Sequence, residues 1–247
     1  MPTVKTQAIC LRLMDWSETS QIAVLLCENH GKISAMAKGA KRQTPSTMQR
    51  FSGGVELLTR GEAMIITKAH VELANLIEWN LQEAHWHLRK DLAAYRLAMY
   101  AADLTSHLLH DHDPHPVTFK ALAGFLAALA DRQTHDAALL RFQWALVNDL
   151  GYRPTLDHDA QTGEALDEEA ATLAFDPIAG GIVSDTGASG RWRVRKETVL
   201  LLRDMAAGRA IERATAEALV RSNRLLCAYF RAMLDRQLPT MDVLLGG

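Results

Sequence analysis

The sequence predicts an α+β protein, with a small five-stranded β-barrel at the N-terminus followed by an α-helical bundle domain that carries an irregular lobe. Three observations lead there. Over roughly the first 70 residues, apolar side chains recur at every second position, the period of a strand with one buried face. From Leu88 onward they recur at three- and four-residue spacing, the period of an amphipathic helix. Between residues 151 and 190 neither period holds. The expected divisions are therefore residues 1–76 for the barrel, 77–150 for a helical bundle, 151–190 for the irregular acidic lobe, and 191–247 for helices that complete the helical domain.

The first strand is expected over Lys5–Leu13, with Ile9, Leu11 and Leu13 on one side, and the second over the apolar run Gln21–Cys27. Asn29-His30-Gly31 reads as a tight hairpin whose glycine is free to take a positive φ. It leads into Gly31–Arg42, GKISAMAKGAKR, which alternates. Ile33, Ala35 and Ala37 suit a core, while Lys32, Ser34, Met36 and Lys38 point the other way. A turn at Gly39 passes into the polar segment Lys41–Ser46. Val55–Thr59 reads as a further strand, Arg60-Gly61-Glu62 as a short turn, and Ala63–Leu73 as the last strand. Short hairpin-linked strands in so few residues fit a small closed barrel. The OB-fold is the five-stranded barrel that commonly binds oligonucleotides on one face.

Leu88, Leu92, Tyr95, Met99, Ala102 and His107 recur at helical spacing, and Pro114 and Pro116 end that helix. Val117–Ala130 predicts a second helix, and Thr134 is placed to cap a third that ends at Gly151. Short connections imply that the three pack on one another. The lobe holds eight acidic residues, one arginine and two prolines, with a short hairpin expected around Ala174–Val183. Helical spacing resumes at Val194 for a helix closed by Gly208, and again over Thr215–Gln237, where Pro239 stops it.

At 247 residues, with 48% hydrophobic and 23% charged, the composition is that of an ordinary globular protein. Cys10, Cys27 and Cys227 are sparse, far apart and odd in number, which argues for a reducing cytoplasm rather than a disulfide framework. MPTVKTQAIC lacks a basic segment followed by an apolar one, so no signal peptide is expected. The longest apolar runs are too short to span a bilayer, so no membrane partner is expected. The net charge of −2 hides an asymmetry. Residues 1–70 carry nine Lys and Arg against five Asp and Glu, and residues 191–236 carry eleven against five. Residues 71–190 carry seven against eighteen. No acidic residue occurs between His30 and Val55, where Lys32, Lys38, Lys41, Arg42 and Arg50 all lie. Such a patch on a strand and loop is suited to phosphate.

Enzyme signatures are missing. Neither G-x-S-x-G, a P-loop nor G-x-G-x-x-G occurs, so no catalytic residue and no cofactor are expected. The histidines at 85, 87, 107, 110, 112 and 115 leave open a metalloenzyme, although H-E-x-x-H is absent. A barrel that binds a protein partner instead of DNA is a second alternative, and fold alone does not separate it from DNA binding.

Four segments, in order, resemble the bacterial RecO family of recombination mediators. Glu18–Val24, ETSQIAV, is similar to a family strand entry, and GKISAMAKGAKR follows it. Phe142–Leu156, FQWALVNDLGYRPTL, is similar to the family's L-x-x-L-G-Y-x-P-x-L pattern, and Leu225–Val243 resembles its closing helix. The resemblance implies an N-terminal OB-fold and a zinc-ribbon-like lobe. Many members hold a structural zinc there with two CxxC pairs. Here those positions hold Asp159 and Thr162, then about Ser184 and Gly187, so no zinc is expected. It further implies binding of single- and double-stranded DNA, annealing, contact with the C-terminal tail of the single-stranded-DNA-binding protein, and action with RecR to load RecA. Lys32, Lys38, Lys41, Arg42 and Arg50 would then neutralise phosphates. Arg191, Arg193, Arg195 and Lys196 form a second candidate stripe around Trp192, a possible stacking residue, and Arg221 and Arg224 are candidates for the rim of a tail pocket.

Overall fold

The structure is a computed structural model that describes residues 3–67, 73–167, 172–211 and 213–246. The chain divides into two units, Met1–Arg132 and Gln133–Gly247.

In the first unit, β1 (Thr3–Asp15), β2 (Gln21–Cys27) and β3 (Gly31–Ala37) form an antiparallel meander. After α1 (Pro45–Arg50) and the two-residue β4 (Phe51–Ser52) come β5 (Arg60–Ile66) and β6 (Ala74–Glu83). β5 pairs with β1 and β6, and the start of β6 pairs in parallel with β3 through Ala35–Ala74, Met36–Asn75 and Ala37–Leu76. The ring β1-β2-β3-β6-β5 is thereby closed, with β4 attached to β6 outside it. The inside of this ring is built mainly from small side chains, among them Ala8, Ala23, Ala35, Ala37 and Ala63, packed with Leu25, Ile33, Ile65 and Trp79. Trp79 is 1% exposed. Its indole needs the missing side chain of Gly61, where a Cβ would lie 2.8 Å from the ring.

Several boundaries differ from expectation. The predicted domain limit at residue 76 falls inside β6. The supposed turn at Arg60-Gly61-Glu62 lies within β5, and Val55–Thr59 is not a strand. Leu58 there takes a φ of +62° and its amide donates to the Cys10 carbonyl at 2.9 Å. Part of the predicted last strand, residues 68–72, lies outside the described residues. β1 carries a bulge between Cys10 and Arg12, so its barrel-lining residues are Ala8 and Cys10, with Leu13 partly buried against them, rather than the predicted 9, 11 and 13 series. Ile9 and Leu11 are buried as well. α2 (Leu92–Leu108) packs against β1. Asp91 caps it, accepting from the amides of Ala93 and Ala94. α3 (Pro116–Ala128) packs against α2.

The second unit begins with α4 (His135–Asp149). Of the three helices expected to form one bundle, α2 and α3 fall in the first unit and α4 in the second, where α4 packs on a helix far ahead in sequence. Thr134 does not cap α4, because its side chain accepts no bond from the first turn. The predicted hairpin is present as β7 (Thr172–Asp176) and β8 (Gly181–Val183), and β9 (Trp192–Arg195) completes a three-stranded antiparallel sheet. α5 (Lys196–Ala206) follows β9 without a connecting loop, so the predicted helix start at 194 was a strand end. α6 (Ala216–Leu234), capped by Thr215, packs on α4 and α5, and α7 (Asp242–Leu245) packs on α6. Gln143 and Asn223, both 0% exposed, bond to each other at 3.2 Å across α4 and α6, and Asn223 donates to the Asp136 carbonyl at 2.9 Å. That polar pair fixes how the two helices register.

The lobe is tied by one carboxylate. Asp159, 5% exposed, accepts from the amides of Gln161 at 2.9 Å, Thr162 at 3.1 Å and Ser184 at 2.8 Å. Burial alone would raise its pKa, but the amides of Ser184, Gln161 and Thr162 outweigh it and hold the group at about 2, below the ordinary 3.8. A folded pKa below the unfolded one means that the deprotonated group favours the fold. The contribution is complete above 3.8 and is lost as the pH falls through about 2. Asp159→Asn is therefore expected to cost about 2 kcal/mol at neutral pH. The gap between wild-type and variant melting temperatures should close as the pH is lowered from 3.8 toward 2. Thermal melts across that range check this.

Candidate nucleic-acid interface

The predicted cations divide by their place on β3. Lys32, at its start, is turned inward. Its Nζ donates to the Ser106 carbonyl at 2.6 Å and lies 3.2 Å from Asp111, with the side chain 15% exposed. The amide of His112 donates back to the Lys32 carbonyl at 3.0 Å. Gly31, at φ +68°, lies so close to this segment that a Cβ would come 2.4 Å from the Asp113 oxygen. The first two residues of the GKIS stretch thus clamp the barrel to the connection between α2 and α3, and Lys32 is committed to that clamp.

The cations beyond the end of β3 are placed differently. Lys38 and Arg42 are exposed and line a groove of about 480 Å³. Trp16 and Thr19 of the β1–β2 turn, Met36 of β3 and Asn75 of β6 line it as well. Two backbone bonds hold its walls together: the Gly39 amide donates to the Ser20 hydroxyl at 3.1 Å, and the Lys41 amide to the Thr19 carbonyl at 3.1 Å. The Lys41 ammonium sits 2.7 Å from Asp15. Hydrogen bonding to Lys41 and Gln21 keeps the Asp15 carboxyl below its usual range. Lys41 therefore braces the wall. Arg50 is exposed, with its Nε on the Ile77 carbonyl at 3.0 Å and its guanidinium 5.2 Å from the centre of the Phe51 ring.

Trp16 was not found by reading the sequence. It is 64% exposed on a turn whose geometry is fixed by bonds from the Trp16 and Ser17 amides to the Ser20 carbonyl, at 3.0 and 3.1 Å. The available signal was a lone aromatic in the polar run Asp15-Trp16-Ser17-Glu18 between two strands.

In the second unit half of the candidate cations meet acids. Arg191 approaches Asp176 at 3.4 Å and also contacts Gln161. Arg193 bonds Asp185 at 2.8 Å, and Arg221 bonds Glu197 at 2.6 Å. Trp192 stacks one face on Phe175, with ring centres 5.6 Å apart and planes at 6°. Arg195 and Arg224 are exposed, and Lys196 is half-buried.

The histidines do not converge, and no group of three or more His, Cys, Asp or Glu with metal-binding geometry occurs among the described residues. His85 Nδ1 donates to the Leu58 carbonyl at 2.8 Å, and His87 bonds the Leu126 carbonyl at 2.8 Å. Burial lowers the pKa of His85. The positions that the resemblance assigns to zinc thiolates do not fit that metal: Asp159 spends its oxygens on backbone amides, and Thr162, Ser184 and Gly187 offer no thiolate. No helix among the described residues is long and apolar enough to cross a membrane.

Comparison with known proteins bears on this geometry. Residues 1–85 match the family model described as recombination protein O N terminal, and residues 89–242 match the one described as recombination protein O C terminal. The chain belongs to the RecO family. The family's division between residues 85 and 89 falls just after β6. Relatives named DNA repair protein RecO include one from Anaeromyxobacter dehalogenans, 32% identical over 190 residues, covering 77% of this chain and 72% of its own. Another, from Geobacter sulfurreducens, is 32% identical over 212 residues, covering 85% and 83%. A third, from Myxococcus xanthus, is 28% identical over 238 residues, covering 95% and 94%.

The clamp at Gly31 can be weighed against Gly54, which has a φ of +77° but open space where a Cβ would point. Gly54→Ala should cost only the left-handed strain, about 1 kcal/mol, whereas Gly31→Ala adds a clash with backbone and should cost at least about 2 kcal/mol more. Urea unfolding of the two variants gives the comparison.

Proposed function

We propose that the chain is a recombination mediator in DNA repair that acts by binding rather than by catalysis. In this reading the closed ring of the first unit is an OB-fold, and the groove at the end of β3 receives the backbone of single- or double-stranded DNA. The observation that carries it is the placement of Lys38 and Arg42. They are exposed and line one groove, while Lys32 is committed to the clamp at the start of β3 and Lys41 braces the groove wall through Asp15. Two exposed cations on one groove neutralise phosphates with little preference for sequence. Arg50, Arg195 and Lys196 extend the cationic surface, and Arg191 and Arg193 contribute where phosphate displaces their carboxylates.

Annealing follows from the same physics. Charge neutralisation lowers the repulsion between complementary strands, so that they can pair. Family membership adds the expected partners: the C-terminal tail of the single-stranded-DNA-binding protein, RecR, and RecA indirectly, in the cytoplasm at the nucleoid. In the second unit Leu166, Leu173, Val199 and Leu200 line a small cleft with Asp167, Lys196 and Arg203, and an acidic, apolar tail would meet its cations there. Arg224 lies exposed on α6, and Arg221 is already paired with Glu197.

The test is annealing of complementary labelled oligonucleotides coated with single-stranded-DNA-binding protein, at two salt concentrations. The protein should accelerate pairing, and the acceleration should fade with salt. The double variant Lys38→Glu/Arg42→Glu should lower DNA affinity at moderate salt by at least about tenfold, since it removes two phosphate contacts and adds repulsion. Unchanged affinity would move the DNA site to Arg195 and Arg224, and no acceleration by the wild type would favour a barrel that binds a protein partner.

A further inference from the structure

Trp16 is left over by that account. A large aromatic side chain that is 64% exposed loses hydrophobic stabilisation unless something covers it. Nothing about the fold demands it there. The β1–β2 turn is closed by backbone bonds to Ser20 and by the Ser17 hydroxyl, which accepts from the amides of Thr19 at 3.4 Å and Ser20 at 3.2 Å. None of these contacts uses the indole. Met14 and Met48 are also exposed at 42% and 66%, but neither lines the groove.

The indole shares the groove with Met36, Lys38 and Arg42. Apolar, aromatic and cationic side chains thus line one groove, whose walls the Gly39–Ser20 and Lys41–Thr19 bonds and the Lys41–Asp15 ion pair join. That combination has a specific physical use. Phosphate contacts are available from a single strand and from a duplex alike. A stacking surface is not, because the faces of paired bases are already covered by their neighbours within the helix. Only an unpaired base can lay a face on the indole. Thr19 and Asn75 on the same walls supply side chains that can both donate and accept hydrogen bonds, and so would suit any base edge.

We propose that Trp16 stacks on an unpaired base and makes this groove selective for single-stranded over duplex DNA. The proposal rests on the reading of Lys38 and Arg42 as phosphate contacts. It assigns the strand preference to one residue and leaves the shared affinity to the cations. Once a base has paired it leaves the indole, so the same residue favours release of annealed product. Glu18, exposed at the tip of the turn, does not line the groove.

The experiment measures dissociation constants for oligothymidylate and for its duplex with oligoadenylate, using the full-length wild type, Trp16→Ala, Trp16→Phe and Lys38→Glu/Arg42→Glu. Trp16→Ala should weaken single-strand binding by on the order of tenfold and leave duplex binding unchanged, because stacking contributes to one ligand only. Trp16→Phe should retain most of the single-strand affinity. Single-strand binding should also quench a component of tryptophan fluorescence that is missing from Trp16→Phe, while duplex should not quench it. Since Trp16 is exposed, its replacement leaves the core intact, and matching melting temperatures confirm that. Equal loss for both ligands, or no loss for either, would overturn the stacking assignment. If the charge reversal weakens both ligands while Trp16→Ala weakens neither, only the stacking assignment fails. If the charge reversal changes nothing, the phosphate reading fails with it.

Discussion

Closure of the ring depends on β3. It is the strand that pairs on both sides where the meander would otherwise end in an open edge, antiparallel to β2 and parallel to the first residues of β6. An unpaired edge would expose a row of amides and carbonyls to other chains. Closing it requires a narrow interior, and the alanines along β1, β2, β3 and β5 provide one. Trp79, the largest side chain in that interior, packs with Leu25, Ile33 and Ile65 in what they leave, and Gly61 makes room for it. Because β3 is held along its whole length, each end can carry a separate task. Its first residues dock the helical part of the first unit, and the turn beyond its last residue presents cations to solvent.

Counting cations along the chain overstates the charge available to a ligand. Lys32, Lys41, Arg191, Arg193 and Arg221 all belong to basic stretches, and each has a carboxylate at 4 Å or less. Such pairs at partly exposed positions contribute little to stability. Their effect here is more to set position and local charge. The acids that hold Arg191 and Arg193 come from the lobe itself, which is how a segment with eight acidic residues can lie beside a basic one with little net charge at the contact. Lys38 and Arg42 differ because they follow a strand end and have Gly39 between them. The local turn, with the Arg42 amide on the Gly39 carbonyl at 3.0 Å, keeps both on the groove side.

Much of this was legible in the sequence, and the failures have physical causes. The alternation of Ile33, Ala35 and Ala37 matches their burial, as does the turn ending at Gly31. The helix expected over Thr215–Gln237 is present as α6, with Thr215 at its cap. β6 was hidden because its pairing with β5 shifts register between Met64 and Ile65. Its inward residues are therefore Leu76 and Trp79, three apart, and a strand with that spacing imitates a helix. The shift in β1 between Cys10 and Arg12 misled in the same way. Gly61 signalled a turn because glycine usually does, but its reason is the Trp79 ring, a contact between residues on different strands. The Gly31–Lys32 clamp could not be separated from the Lys38–Arg42 site by composition, since what separates them is the chain at Ser106–Asp113, far off in sequence.

The lobe shows how one carboxylate can fasten a segment that has little regular structure. A metal held by thiolates fixes two turns because each ligand is bonded to a common centre. Asp159 meets the same geometric need with the opposite chemistry. The turns now supply donors, the amides of Gln161, Thr162 and Ser184, and the shared centre is an anion belonging to the chain. The Ala160 amide on the Ile182 carbonyl and the Asp159 amide on the Glu164 carbonyl, both at 2.8 Å, complete the tie. An internal carboxylate needs no metal supply and no reduced thiols, but it must stay ionised to hold three amides at once. The lobe thus depends on one buried charge.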